Sequence, residues 1–169
     1  MKKGLVLILF FYILALIQTS FLVHFNIEEQ VPNLILIALV LLTFFEKPEE
    51  KLSFFGAGIG GFFLDIFSNV FLGTSIIALL LMTFLFKKLL EIIKGLNILW
   101  FLIFIFLSLV FYNLFSNLVS FFISQDITAI QISLGKVFII KSTYNLILGL
   151  IAFYIISLLK KYVFARQGF

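Results

Sequence analysis

The chain has 169 residues, of which 63% are hydrophobic and 12% charged, with a net charge of +4 and no cysteine. A soluble domain carries about 25% charged residues, so this chain has too little polar surface to coat an apolar core, and its expected solvent is a bilayer. The missing cysteines exclude disulfides and thiolate metal sites. The positive charge calls for no nucleic-acid partner, because basic loops beside anionic headgroups account for it.

Spans follow from apolar run length, since crossing ~30 Å of hydrocarbon takes roughly 20 residues of helix. The runs cover 4–23, 31–45, 52–71, 73–86, 96–123 and 137–159. The expectation is an all-α, polytopic membrane protein with six transmembrane helices in a single integral membrane domain, 1–169. The second and fourth runs are short. They should borrow flanking residues or be protected by neighbouring helices. The first run follows Lys2 and Lys3 as a signal peptide would, but it lacks a small-x-small cleavage site and reads as a retained helix.

Lysine and arginine set the orientation. Lys2, Lys3, Lys47, Lys51, Lys87, Lys88, Lys94, Lys160, Lys161 and Arg166 fall on one side of the six spans, and Lys136 on the other. Both termini and the basic loops should therefore be cytoplasmic. "EKPEEK", 46–51, reads as a tight cytoplasmic loop around Pro48.

Polar residues inside the spans gather toward the opposite, outer end. Span one closes on Gln18, Thr19 and Ser20, and span five carries Tyr112, Asn113, Ser116, Asn117 and Ser120 at helical spacing. Asp65 lies about 20 Å along span three, at a depth similar to that of Lys141. An unpaired charge in hydrocarbon costs ~2.5–3.5 kcal/mol. A polar knot is expected in which Asp65 pairs with Lys141, supported by Asn113 or Asn117, with Asn69 nearby. Its role is read as fixing helix packing rather than relaying protons.

The glycines beside Asp65 form small-xxx-small pairs, Gly56 with Gly60 and Ala57 with Gly61, which let helix backbones approach closely. Gly58, Gly61 and Asp65 follow at steps of three and four and are expected on one packing face, with Phe55, Phe62, Phe63 and Ile66 turned away. Gly56, Gly58 and Gly61 also satisfy G-x-G-x-x-G. Without a preceding strand or an acid some 20 residues later, this is no dinucleotide fingerprint. His24, Glu28 and Glu29 read as an interfacial loop, not a metal site, and the 25 phenylalanines as lipid-facing bulk. No catalytic residue, cofactor or metal is expected.

Three segments in order, "QTSFL" (18–22), "VPNLILI" (31–37) and "FGAGIGGFFLDIFSNVFLGTSII" (55–77), resemble the MreD family of bacterial rod shape-determining membrane proteins. The resemblance rests on Gln18, Pro32, Asn33, Asp65 and Gly73, with Asn33 standing where the family usually has aspartate. It covers residues 15–90, and the rest agrees in hydropathy. It implies a non-enzymatic scaffold of the cell-elongation, peptidoglycan-synthesising complex in the bacterial inner membrane. The implied partners are an MreC-like single-span protein, a RodA-type glycosyltransferase, a class B penicillin-binding protein and MreB filaments. It also implies a fold similar to the S-components of energy-coupling-factor transporters. That likeness supplies a second reading, the substrate-binding membrane subunit of a vitamin-type transporter. A membrane enzyme is the third, and it lacks a catalytic constellation.

Overall fold

The computed structural model describes residues 2–47, 49–68, 71–93, 97–124 and 136–166. Asn69 and Lys94, singled out from the sequence, lie outside these residues, as does most of the loop 124–136. The described residues form an all-α bundle: α1 (Lys2–Leu16), α2 (Leu34–Phe45), α3 (Leu52–Phe67), α4 (Thr74–Ile92), α5 (Ile98–Ser124) and α6 (Lys136–Arg166). The first helix widens into a π-helical turn over Ile17–Phe21 and tightens to a 3-10 turn over Leu22–Phe25. The segments Gly4–Phe25, Ile98–Ile123 and Val137–Leu159 are each long and apolar enough to cross a membrane. With the shorter apolar helices α2 and α3 beside them, the chain is a polytopic membrane protein.

The two short runs resolve in different ways. The fourth takes in its charged flank and extends to Ile92, giving 19 residues. The second becomes only 12 residues, about 18 Å of helix, too short to span alone. It survives because it is the axis of the bundle, packing against each of the other five helices. Ile35, Leu36, Ile37, Leu39, Val40, Leu41, Thr43 and Phe44 are all buried, so this helix has little lipid contact to match.

Several phenylalanines are core residues, which corrects their reading as lipid-facing bulk. Phe11 and Phe101 are fully buried and Phe104 nearly so. Phe44 meets Phe101 edge-on at 5.5 Å and Phe104 at 6.1 Å, and Phe86 lies 4.6 Å from Phe104. These rings tie α2, α4 and α5 together, the two Phe44 pairs in the edge-to-face geometry that aromatic pairs favour and Phe86 with Phe104 at a tilt of 41°.

The glycine face of α3 is two faces. A Cβ on Gly56 or Gly60 would meet Phe11 at 3.1 Å, and on Gly60 also Ile35 at 2.8 Å, so these two seat α1 and α2. A Cβ on Gly61 would lie 2.6 Å from the Ile76 backbone, so this glycine brings α3 and α4 into main-chain contact. Gly58 meets nothing within 4 Å. Its expected packing role is not met, because two steps from Gly56 turn it away from both neighbours. Phe55, Phe62 and Ile66 are exposed as expected, whereas Phe63 is half-buried with its ring 5.5 Å from Tyr12.

Candidate functional site

Every helix start leaves backbone N–H groups without partners inside the helix. In a bilayer these must be satisfied by the protein itself. Gln18, Asn33, Glu46, Asp65, Asn97 and Asn145 accept hydrogen bonds from N–H groups at or beside helix starts.

At the end of the bundle that carries Gln18, Asn33 and Asp65, α4 begins at Gly73, which has a φ of +96° and no side chain with which to cap. Asp65 performs the capping from the last turn of α3. One carboxylate oxygen accepts the Gly73 N–H at 2.7 Å and the other the Ser75 N–H at 2.9 Å. Asp65 is 3% exposed, and its position suits the positive end of the α4 dipole. The Ser75 hydroxyl meets the Tyr112 hydroxyl at 2.8 Å, which extends the contact to α5.

The expected pair of Asp65 with Lys141 is therefore not formed. Both Asp65 oxygens are occupied by backbone donors, and among the described residues the ion pair present is Lys87 with Glu46. Lys141 is half-buried on α6, which packs chiefly on α5 and α2 rather than on α3. Asn113 and Asn117 are half-buried on α5. They are not the support of Asp65, whose partners are Gly73 and Ser75.

Lys141 instead takes part through its backbone. Its carbonyl accepts the Asn145 side-chain amide at 2.7 Å, while the Asn145 amide oxygen accepts the Asn33 N–H at 2.8 Å. Asn33 in turn caps α2 by accepting the Leu36 N–H at 2.9 Å, and Gln18 accepts the Leu34 N–H at 2.9 Å. The start of the central helix is thus held by α1 through Gln18 and by α6 through Asn145. Pro32, buried just before the cap, has no N–H to satisfy. The Tyr144 hydroxyl donates to the Phe25 carbonyl at 3.2 Å and joins α6 to the end of the first-helix segment.

At the opposite, basic end the same device recurs. Glu46, one residue beyond α2, accepts the Leu52 and Ser53 N–H groups and so caps α3, whose own N-cap residue Lys51 makes no side-chain cap. Lys87 of α4 lies 3.0 Å from the Glu46 carboxylate and also donates to the Glu50 carbonyl. Burial pushes the Glu46 carboxyl up, but hydrogen bonds from Ser53, Lys87 and Leu52 outweigh it and hold the carboxyl below its ordinary range.

Reading the sequence missed Asn145, Ser75 and Glu46. Asn145 stands one helical turn after Lys141 in an apolar run, a position that marks an inward-facing polar residue. Glu46 shows no sequence signal that separates it from the other charges of its loop. His24 ends the first-helix segment in the 3-10 turn Leu22–Phe25 rather than lying in the loop, whereas Glu28 and Glu29 form a two-residue turn in the loop that follows, at φ of 48° and 63°. Among the described residues no three His, Cys, Asp or Glu side chains cluster as metal ligands would. A cavity of about 20 Å³ lies among Ala15, Gln18, Thr19, Phe67 and Ser68, room for about one water.

Comparison of the chain with protein-family models, with curated proteins and with solved structures finds no match.

Proposed function

We propose that the chain is a non-enzymatic membrane scaffold of the bacterial cell-elongation machinery, acting with an MreC-like single-span partner. The observation that carries this reading is where the residues of the family resemblance go. Gln18, Pro32 and Asn33 build one helix start, and Asp65 and Gly73 build another. These residues hold helix ends in register, as a scaffold requires. On this reading the protein sits in the inner membrane with both termini in the cytoplasm, as its lysines favour. A RodA-type glycosyltransferase, a class B penicillin-binding protein and MreB filaments complete its surroundings.

The transporter reading needs a polar cavity at the outer end large enough for a vitamin. Ligand pockets run to about 300–1,000 Å³, and the cavity that the described residues form beside Gln18 and Ser68 holds about 20 Å³. The test is capture of the tagged chain from its native membranes, followed by mass spectrometry of co-purifying proteins and small molecules. Wall-synthesis proteins support the scaffold. A stoichiometric bound vitamin, with no such proteins, overturns it.

A further inference from the structure

Two grooves of similar size open on the flanks of the bundle toward lipid. One, about 370 Å³, is bounded by α1, α2 and α6, and its charged lining residues are Glu46, whose carboxylate is paired with Lys87, and Glu50. The other, about 420 Å³, lies between α4 and α5 and is lined by Met82, Leu85, Leu89, Leu107, Val110 and Leu114, with Lys88 the one charge among its described lining residues. Leu85, Leu89, Leu107 and Leu114 are each more than 40% exposed, so the groove is open along its length.

We propose that the groove between α4 and α5 binds an anionic phospholipid, one acyl chain lying in the groove and the phosphate held by Lys88. The position of the lysine supports this. Its neighbour Lys87 is held by Glu46 in the charged loop region, so Lys88 stands at the basic end of the bundle, where the lysine count puts the headgroups. Lys88 is exposed one residue later, with its ammonium 4.6 Å from the centre of the Phe84 ring. A flexible four-carbon stem anchored on an aromatic face can swing its charge to a headgroup while the stem covers apolar surface. Basic pockets between helices at the membrane edge recognise anionic headgroups on this principle.

Charge argues against a protein helix as the occupant. On the orientation read from the lysines, single-span proteins carry basic residues where they leave the membrane on this side, and Lys88 would repel them. The groove lined by Glu46 and Glu50 has no lysine among its described lining residues and serves as the internal contrast.

The test is native mass spectrometry of the purified full chain, exchanged into mixed micelles with phosphatidylglycerol and phosphatidylcholine of identical chains. The wild type should retain phosphatidylglycerol about fivefold over phosphatidylcholine, the weight of one lysine beside an anionic headgroup. Lys88→Glu should abolish the preference, Lys88→Arg should keep it, and Glu50→Gln should leave it unchanged. Val110→Trp, which fills the groove, should lower retention of both lipids. Equal retention of the two lipids by the wild type, or an undiminished preference in Lys88→Glu, overturns the proposal. So does a photoreactive residue at Leu107 that cross-links to a protein in native membranes instead of to lipid. Should Val110→Trp fail to fold, the variants at the exposed Lys88 still decide the matter.

Discussion

The Asp65 carboxylate accepts the Gly73 N–H at 2.7 Å across the turn that joins α3 to α4. The carboxylate and the glycine divide one task. Gly73 supplies the left-handed conformation that closes the turn, which only a residue without Cβ adopts freely, and Asp65 supplies the capping oxygens that glycine lacks. The Asp65→Ala variant removes two hydrogen bonds to a buried acceptor, and each such bond to a charged group contributes about 1.5–3 kcal/mol. Lys141→Met should neither rescue nor deepen that loss. A double-mutant cycle on thermal stability in detergent should give a coupling below about 0.5 kcal/mol, as for independent sites. Strong coupling would revive the Asp65–Lys141 pair.

The glycines of α3 should separate cleanly. Gly61→Ala drives a methyl into the Ile76 backbone, which cannot rotate away as a side chain can, so the α3–α4 contact must open. Overpacking of this kind costs about 1–3 kcal/mol. Gly58→Ala places its methyl in open space and should stabilise the helix by about 0.5–1 kcal/mol. The yield and melting temperature of the two variants, measured side by side, check this. A loss at Gly58 equal to that at Gly61 would mean that Gly58 meets a partner.

Asn145 is fully buried and 112 positions from Asn33. Asn145→Leu leaves the Asn33 N–H without its acceptor, at about 1–3 kcal/mol for a buried donor. Asn33→Asp keeps a capping oxygen on Leu36 and adds charge where the α2 dipole favours it, so it should be tolerated. Hydrogen exchange at the start of α2 should quicken in Asn145→Leu and stay slow in Asn33→Asp.

Glu46 contributes a pH dependence whose sign is fixed. Its folded pKa lies below its ordinary value of 4.5, so its stabilisation is full above 4.5 and is lost as pH falls through the folded value. Glu46→Gln should be less stable than wild type at neutral pH. The gap in melting temperature should shrink as pH drops below about 4.5. A gap independent of pH would show that the carboxylate charge plays no part.

Topology is checked by labelling whole cells with an impermeant thiol reagent. Glu28 and Glu29 hold positive φ, strained for any cysteine, so the outer reporter belongs at the exposed Asn26. Asn26→Cys should react and Glu49→Cys should resist. The reverse pattern would invert the orientation read from the lysines.

The apolar runs by themselves determined the membrane class, the order of the helices and the end at which polar residues collect. These depend on local run length and on charge, both visible one residue at a time. Which phenylalanines face inward was not legible. A bilayer is as apolar as the core, so inward and outward faces of α1 or α5 carry the same residue types and no periodicity marks them. The small-residue pairs showed that α3 approaches its neighbours closely. Only the packed bundle decided that Gly60 meets α1 and α2 while Gly61 meets α4. Asp65 makes the same point in energetic terms. The cost of a bare charge in hydrocarbon required a partner. The turn at Gly73 then brought backbone donors to 2.7 and 2.9 Å, so the carboxylate was satisfied at the start of α4 rather than by Lys141 on a helix that packs elsewhere.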